Sequence, residues 1–378
     1  MSNIKLSSQL ERSLWGLEER LIRTHIELET ISEEEDRYLH RFVLISNIGA
    51  STRIENAVLT DQEIEWIDTV LTKDGKTTAF YQMKGFIADK LSKDKERSIE
   101  EVAGCREVLK TVYQQADQLF PLTESTIRGL HHDLLRYHPG SAHHSGGYKT
   151  TQNKVVSKNL ATREERVVLD SAPPGIITQT AMVDLISWYN EMTGGSIKSN
   201  YPLPVPVLFI FRFLAIHPFT DGNGRFGRAL FILALLQNGY DHWKSLVPFI
   251  AIDRHIEQNR PLYYSVLHKC SEGKFHQNPE KYEIEPLIWF FVKIIDSALD
   301  DIPVYRKRFV NSQKLSQTAL TVLNCFKEKP ENRLNVGYII KTTGIPSRTI
   351  QYALKTLVEK EFLQRLGQGR GTRYQLVF

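Results

Sequence analysis

Cysteine is scarce in this chain of 378 residues: Cys105, Cys270 and Cys325 lie far apart, odd in number and outside any metal-ligand spacing. That excludes a disulfide framework and a zinc-finger-type site, and it predicts free thiols in a reducing, cytoplasmic compartment. No apolar run reaches the roughly 18 residues that a membrane span needs. The nearest, VPVLFIFRFLAI, is interrupted by Arg212. The opening MSNIKLSSQLERSLWGLEER is charged and lacks the apolar centre of a secretory signal. Internal repeats and low-complexity segments are absent, and strand-like alternation is confined to a few short stretches. What remains, 41% hydrophobic and 24% charged, is a globular composition. The length predicts two or three domains.

The net charge of +4 is unevenly spread. From residue 305 onward there are 14 Lys and Arg against 4 Asp and Glu, which leaves 34 basic and 40 acidic residues before that point. A short basic module on a mildly acidic body suits a polyanionic partner for the tail.

Most of the body has helical period. Apolar residues three and four apart run through SLWGLEERLIRTHIELETI, and again after a capping Ser32. ASTRIENAVLT reads as a short helix, and Thr60 with Glu63 three residues on forms a capping box. Further helices are predicted at 98–118, 123–137, 178–193, 203–216, 225–238, 257–271 and 284–299. Between His138 and about Pro174, a stretch rich in Gly, Ser and His is followed by alternation, which predicts a loop and a β-hairpin. The fold class is therefore all-α with a small hairpin. A linker is expected around 300–314. Beyond it, three helices and a strand, glycine-rich turn and strand resemble a winged helix-turn-helix, with Arg348, Gln351 and Lys355 on one face of the recognition helix and Arg365, Arg370 and Arg373 in the wing. Such a module binds either DNA or another protein.

One stretch is richer than a helix–helix turn requires: HPFTDGNGRFGR, residues 217–228. Pro218 disfavours a helical conformation at His217, so a helix ends there. Gly222 and Gly224 permit positive φ and let backbone N–H groups converge at the start of the next helix, where its dipole favours an anion. Arg225 and Arg228, three apart on its first turn, suit the oxygens of a polyphosphate. Asp221 is placed to hold the Mg²⁺ that accompanies a nucleoside triphosphate, and His217 is a candidate general base. A Walker A loop is excluded, because no G-K-[ST] is present. An EF-hand is excluded as well, because Arg225 and Ile232 stand where carboxylates belong.

HPFTDGNGRFGR matches the signature HPFx[DE]GNGRxxR at every specified position, and the chain resembles the Fic family over roughly residues 40–300. The resemblance implies an all-α Fic fold with a β-hairpin flap in PGSAHHSGGYKTTQNKVV. It implies transfer of AMP from ATP to a Ser, Thr or Tyr hydroxyl of a target protein, with release of pyrophosphate. It makes His217 the base, Asp221 the Mg²⁺ ligand, Gly222, Asn223, Gly224 and Arg225 the phosphate cradle, and Arg228 the holder of the γ-phosphate. The signature's Phe226 and Gly227 fall in the same ATP-binding stretch. Val155, Val156 and Ser157 would lie over the nucleotide, and Tyr263, Tyr264 and Arg260 near the adenine. STRIEN, with Ser51, Glu55 and Asn56, resembles the family's inhibitory motif [ST]xxxE[GN], so that Glu55 would pair with Arg228 in place of the γ-phosphate.

The implied division is 1–110 for the N-terminal helical region with the inhibitory helix, 111–300 for the catalytic core and 315–378 for the winged helix. Two alternatives stay open: removal of AMP from a modified protein, and a DNA-binding regulator that uses the core as a nucleotide sensor. A homodimer burying the inhibitory helix is also compatible with the sequence.

Overall fold

The computed structural model describes residues 6–73, 76–91, 93–141, 143–158, 165–194, 202–328 and 332–377. The body begins with α1 (Ser8–Leu28), α2 (Glu33–Ile54) and α3 (Asp61–Leu71), each opened by a side-chain cap from Ser7, Ser32 and Thr60 respectively. At Thr60 the reciprocal bond from Glu63 completes the capping box. A two-residue ribbon, β1 (Thr72–Lys73) and β2 (Lys76–Thr77), leads to α4 (Phe80–Leu91), α5 (Glu96–Gln115) and α6 (Glu124–Leu135). The flap follows as β3 (Lys154–Lys158) and β4 (Glu165–Asp170), antiparallel, with the register shifting between Val155 and Val156.

Seven helices complete the body: α7 (Ile176–Gly194), α8 (Pro204–Ile216), α9 (Asn223–Leu236), α10 (Asp241–Leu246), α11 (Ile252–Gln258), α12 (Arg260–Ser271) and α13 (Glu285–Asp300). Helix α9 is buried almost all round and packs against α8, α5 and α2, and α8 is nearly as enclosed. A helix apolar on every side belongs in the centre of a large core. Gly227 is what lets the two approach, since a Cβ there would press on Ile210, Phe213 and Leu214 of α8. The second half of α2, from Ile45 to Ile54, is enclosed between α5, α9 and α11.

Four local expectations differ from what is found. The stretch around 300–314 is helix α14 (Ile302–Gln313), not a linker: Ile302, Tyr305 and Phe309 recur at helical spacing and are buried, a pattern masked by the basic residues between them. ASTRIENAVLT is not a separate helix; α2 runs on to Ile54 and the chain turns at Glu55 and Asn56. The helix expected over 257–271 breaks at Asn259 into α11 and α12, where Pro261 can only stand in a first turn. Helix α4 and the short α10 fall outside the segments that the periodicity predicts as helical.

The C-terminal unit has α15 (Gln317–Lys327), α16 (Val336–Thr343), α17 (Ser347–Glu359) and an antiparallel pair, β5 (Leu363–Leu366) with β6 (Arg373–Leu376). Its own core gathers Val322, Phe326, Ile339, Ile350, Leu354 and Leu357. It touches the body at α3, where Gln62 donates to Leu376 O at 3.4 Å and Lys327 lies 3.9 Å from Glu65.

Candidate active site

Helix α8 ends on His217, which takes the left-handed conformation (φ 50°, ψ 59°) while its N–H still bonds Phe213 O at 2.9 Å. The proline that follows pushes it out of the right-handed region. Burial first, and then the charge of Lys149, push the imidazole down to about 4; the Leu214 backbone, Glu55 and Asp221 act in the opposite direction. The ring is thus neutral at pH 7 and free to accept a proton. Its Nδ1 is buried without a hydrogen-bond partner among the described residues.

The loop after it is built by Asn223, whose Oδ1 accepts from Phe219 N at 3.0 Å and whose Nδ2 donates to Phe219 O at 2.7 Å. Gly222, at φ 78°, turns the chain, and its N–H meets Asp221 Oδ1 at 2.6 Å. The first bond of α9 runs from Phe226 N to Gly222 O at 2.9 Å. The N–H groups of Asn223, Gly224 and Arg225 therefore precede the helical ladder and face outward as an anion site.

Arg225 is buried, with Asp221 Oδ1 at 3.6 Å and Glu101 Oε1 at 3.7 Å, while its Nε and Nη1 lack hydrogen-bond partners among the described residues. Buried donors of a charged group cost free energy until an acceptor meets them, so this guanidinium suits an anion in the cleft.

Arg228 lies deeper. Its Nε donates to Ser51 Oγ at 2.9 Å, and its Nη2 donates to Ser51 O at 2.7 Å and to Glu55 Oε1 at 3.0 Å. Burial works against its charge, but Glu55 and then Asp253 outweigh burial and hold the guanidinium above its ordinary range. Glu55 terminates α2, and Asn56 reverses the chain at φ 74°, a conformation Asn adopts more readily than most residues. The Glu55 carboxylate lies directly over Gly224, close enough that a Cβ there would overlap it. An acid from α2 and the mouth of α9 therefore share one anion position.

Around this position lies a cleft of about 310 Å³. Glu55, His217, Asp221, Gly222, Asn223, Gly224, Arg225 and Arg228 form one wall, Val155 and Val156 of the flap another, and Tyr263 and Tyr264 a third. The two tyrosine rings are 5.6 Å apart, and burial pushes both hydroxyls up.

The remaining expected site residues stand off the cleft wall. Phe226 packs among Phe213, Phe219 and His131, and Gly227 meets α8, so both serve the core. Asn223, on the wall, commits its side chain to Phe219. Ser51 sits behind Arg228. Arg260 donates to Asn56 Oδ1 at 3.1 Å and lies over the Tyr264 ring at 5.9 Å, which puts it on the rim. Ser157 is in the flap strand, and its side chain lies outside the described residues, as does that of Arg370.

Other residues carried no local signal. Glu101 and Arg97 of α5 reach the cleft from a helix that reads as an ordinary amphipathic one. His131 of α6 accepts from Gly146 N on Nδ1 at 3.0 Å, so its proton is on Nε2, which donates to Asp221 O at 2.9 Å. Its ring stacks on Phe219 with centroids 3.6 Å apart. Among the described residues no group of three or more His, Cys, Asp or Glu gathers as an all-protein metal cage, and no helix is long and apolar enough to cross a membrane.

Residues 121–235 match the family model described as Fic/DOC family. Over 104 residues it is 33% identical to a probable protein adenylyltransferase of Aquifex aeolicus, covering 27% of each chain. Over 238 residues it is 25% identical to the protein adenylyltransferase Fic of Nematostella vectensis, covering 60% of this chain and 45% of that one. The alignments thus span less than half the length of these relatives. A crystal structure of a Fic family protein from Desulfovibrio desulfuricans G20 superposes with a TM-score of 0.54 at 20% identity, covering 99% of this chain and 97% of the other. A Fic domain-containing signaling protein from Bacteroides thetaiotaomicron gives 0.53 at 26% identity, covering 76% and 96%. The fold is the mostly helical Fic fold with a small two-stranded flap.

Proposed function

We propose that this Fic-domain chain is a protein adenylyltransferase, which moves AMP from ATP to a Ser, Thr or Tyr hydroxyl of a target protein and releases pyrophosphate. One observation carries the reading: a neutral histidine stands beside a helix N-terminus whose buried Arg225 has open donors. The target oxygen bonds to the α-phosphorus, the bond from that phosphorus to the bridging oxygen breaks, and the hydroxyl proton passes to His217. Pyrophosphate leaves with the bridging oxygen. The N–H groups at the start of α9 and the Arg225 guanidinium stabilise the phosphate charge, pre-organised and shielded from water. Val155 and Val156 cover the nucleotide, and the Tyr263–Tyr264 wall takes the base.

Asp221 fits a Mg²⁺ site: it lines the cleft and is 42% exposed, as suits an ion held by one carboxylate and substrate phosphates. When bound, the ion would neutralise charge on the phosphate chain and favour departure of pyrophosphate.

We also infer that the chain restrains itself. Glu55 pairs with Arg228 where a terminal phosphate would sit, so ATP admitted beside it is not aligned for in-line attack. A second reading is favoured by Glu55, which lines the cleft and whose side chain is 33% exposed. That carboxylate is accessible to water and suits hydrolytic removal of AMP from a modified protein. Loss of label from a pre-modified target, compared with gain of label from ATP, separates the two.

The division into 1–110, 111–300 and 315–378 is retained as a proposal, and the last unit is read as a winged helix-turn-helix that binds DNA. Support comes from Arg348, Gln351, Tyr352 and Lys355, all exposed on α17. A pure nucleotide sensor would need the phosphate cradle but no base, and His217 argues against it. The direct test is His217→Ala, which should abolish transfer while ATP still binds.

A further inference from the structure

Behind His217 lies a polar cluster that the proposed reaction does not use. Lys149 is buried, and its ammonium donates to Asn153 Oδ1 at 2.8 Å, Ser171 Oγ at 2.7 Å and Ile216 O at 3.1 Å. Three acceptors match its three protons. Ile216 O is the carbonyl joined directly to His217, in the last turn of α8, where carbonyls lack helical partners and a cation is favoured. The backbone N–H of Lys149 also donates to Pro218 O at 2.8 Å. Asn153 Nδ2 donates to Phe219 O at 2.8 Å and reaches His217 O at 3.5 Å. Four successive carbonyls, from Ile216 to Phe219, are therefore gripped by the segment that leads into β3.

The other end of the flap joins the same cluster. Ser171, just past β4, donates to Asn153 O at 2.7 Å, and its own carbonyl accepts from Gln152 Nε2 at 2.9 Å. The cluster thus ties both stems of the flap to the left-handed backbone at His217. Burial pushes the Lys149 amine down to about 8, which still leaves most of it charged at pH 7.

We propose that Lys149, acting with Asn153, is a positioning residue that fixes the His217 imidazole against the flap stem and so couples flap order to the placement of the base. The proposal rests on the reading of His217 as the base. Holding a reacting group in place is worth much of a rate: a shift of about 1 Å can cost about 10²-fold. Lys149 touches neither the phosphate cradle nor Arg228, so its loss should leave ATP affinity alone.

The test uses the full chain in a Glu55→Gly background, with Lys149→Met chosen to keep volume and lose the charge. Asn153→Ala serves as a second variant should the first fail to fold. Labelled AMP transfer should fall about 10- to 100-fold in kcat, with the ATP Kd from calorimetry within about twofold. The His217 ring resonance, assigned by its disappearance in His217→Ala, should shift in Lys149→Met whether or not transfer is detected. Unchanged kcat or an unmoved resonance would overturn the positioning role. If His217→Ala itself transfers at the parent rate, it is the base assignment that fails, and the resonance alone then decides whether Lys149 positions the ring.

Discussion

Glu55 and Arg228, 173 residues apart in the chain, are joined at 3.0 Å over the first turn of α9. Arg228 is 2% exposed and Glu55 33%, so the pair is shielded on one side and open to the cleft on the other. Ser51 grips the same guanidinium from behind through two bonds. The motif STRIEN therefore does three tasks: Ser51 orients the arginine, Glu55 neutralises it, and Asn56 supplies the reversal that aims Glu55 inward.

Replacing Glu55 with Gly should raise AMP transfer. A hydrogen bond to a charged partner is worth about 1.5–3 kcal/mol, which corresponds to roughly 10- to 150-fold activation. The double variant Glu55→Gly with Arg228→Ala should lose most of that gain and bind ATP more weakly by calorimetry. Equal transfer by the parent and Glu55→Gly would leave Glu55 without an inhibitory role.

The pH dependence follows from the direction of the His217 shift. Burial and Lys149 push this group below its ordinary value, to about 4, and only the neutral ring accepts a proton. Transfer in the Glu55→Gly chain should therefore persist below the usual histidine range and be lost as the pH falls through about 4. An acid limb near 6.5, the value of an unperturbed imidazole, would show that the ring is exposed during turnover.

Gly104 of α5 lies against the Leu134 backbone of α6, where an added Cβ would overlap the carbonyl group. Gly104→Ala should force the helices apart at a cost of about 1–3 kcal/mol, seen as a lower denaturant midpoint. Because α6 carries His131, the Asp221 carbonyl would lose its support as well. A midpoint equal to the parent's would mean that the two helices separate freely.

For the C-terminal unit, the full chain should bind duplex DNA with log K falling as salt rises, at a slope of about −0.9 for each phosphate neutralised. Arg348→Glu with Lys355→Glu should weaken binding and flatten that slope. A response to neither salt nor these substitutions would assign the unit to a protein partner.

The part of the site legible in the sequence was the part contiguous in it. HPFTDGNGRFGR carries its own helix stop, glycine turn and cation pair, so local rules were enough to place His217, Asp221 and Arg225 around one point. STRIEN could be read only because its partner signature stood downstream. Lys149, Asn153 and His131 were not legible: KTTQN reads as a plain polar loop, and His131 as one histidine of a pair on an amphipathic helix. Their roles arise from tertiary contacts with backbone carbonyls, which leave no periodicity behind. Conversely, Phe226 and Gly227 lie inside the signature yet serve the packing of α8 on α9, since a motif records what a loop needs in order to form as well as what it binds.

The most direct measurement is the intact mass of a candidate target incubated with Mg²⁺, ATP and either the Glu55→Gly chain or its His217→Ala derivative. One added AMP per modified hydroxyl is expected with the former, and none with the latter at equal ATP occupancy. An added AMP with both would contradict the role of His217; none with either, on any hydroxyl of chain or target, would contradict adenylyl transfer itself.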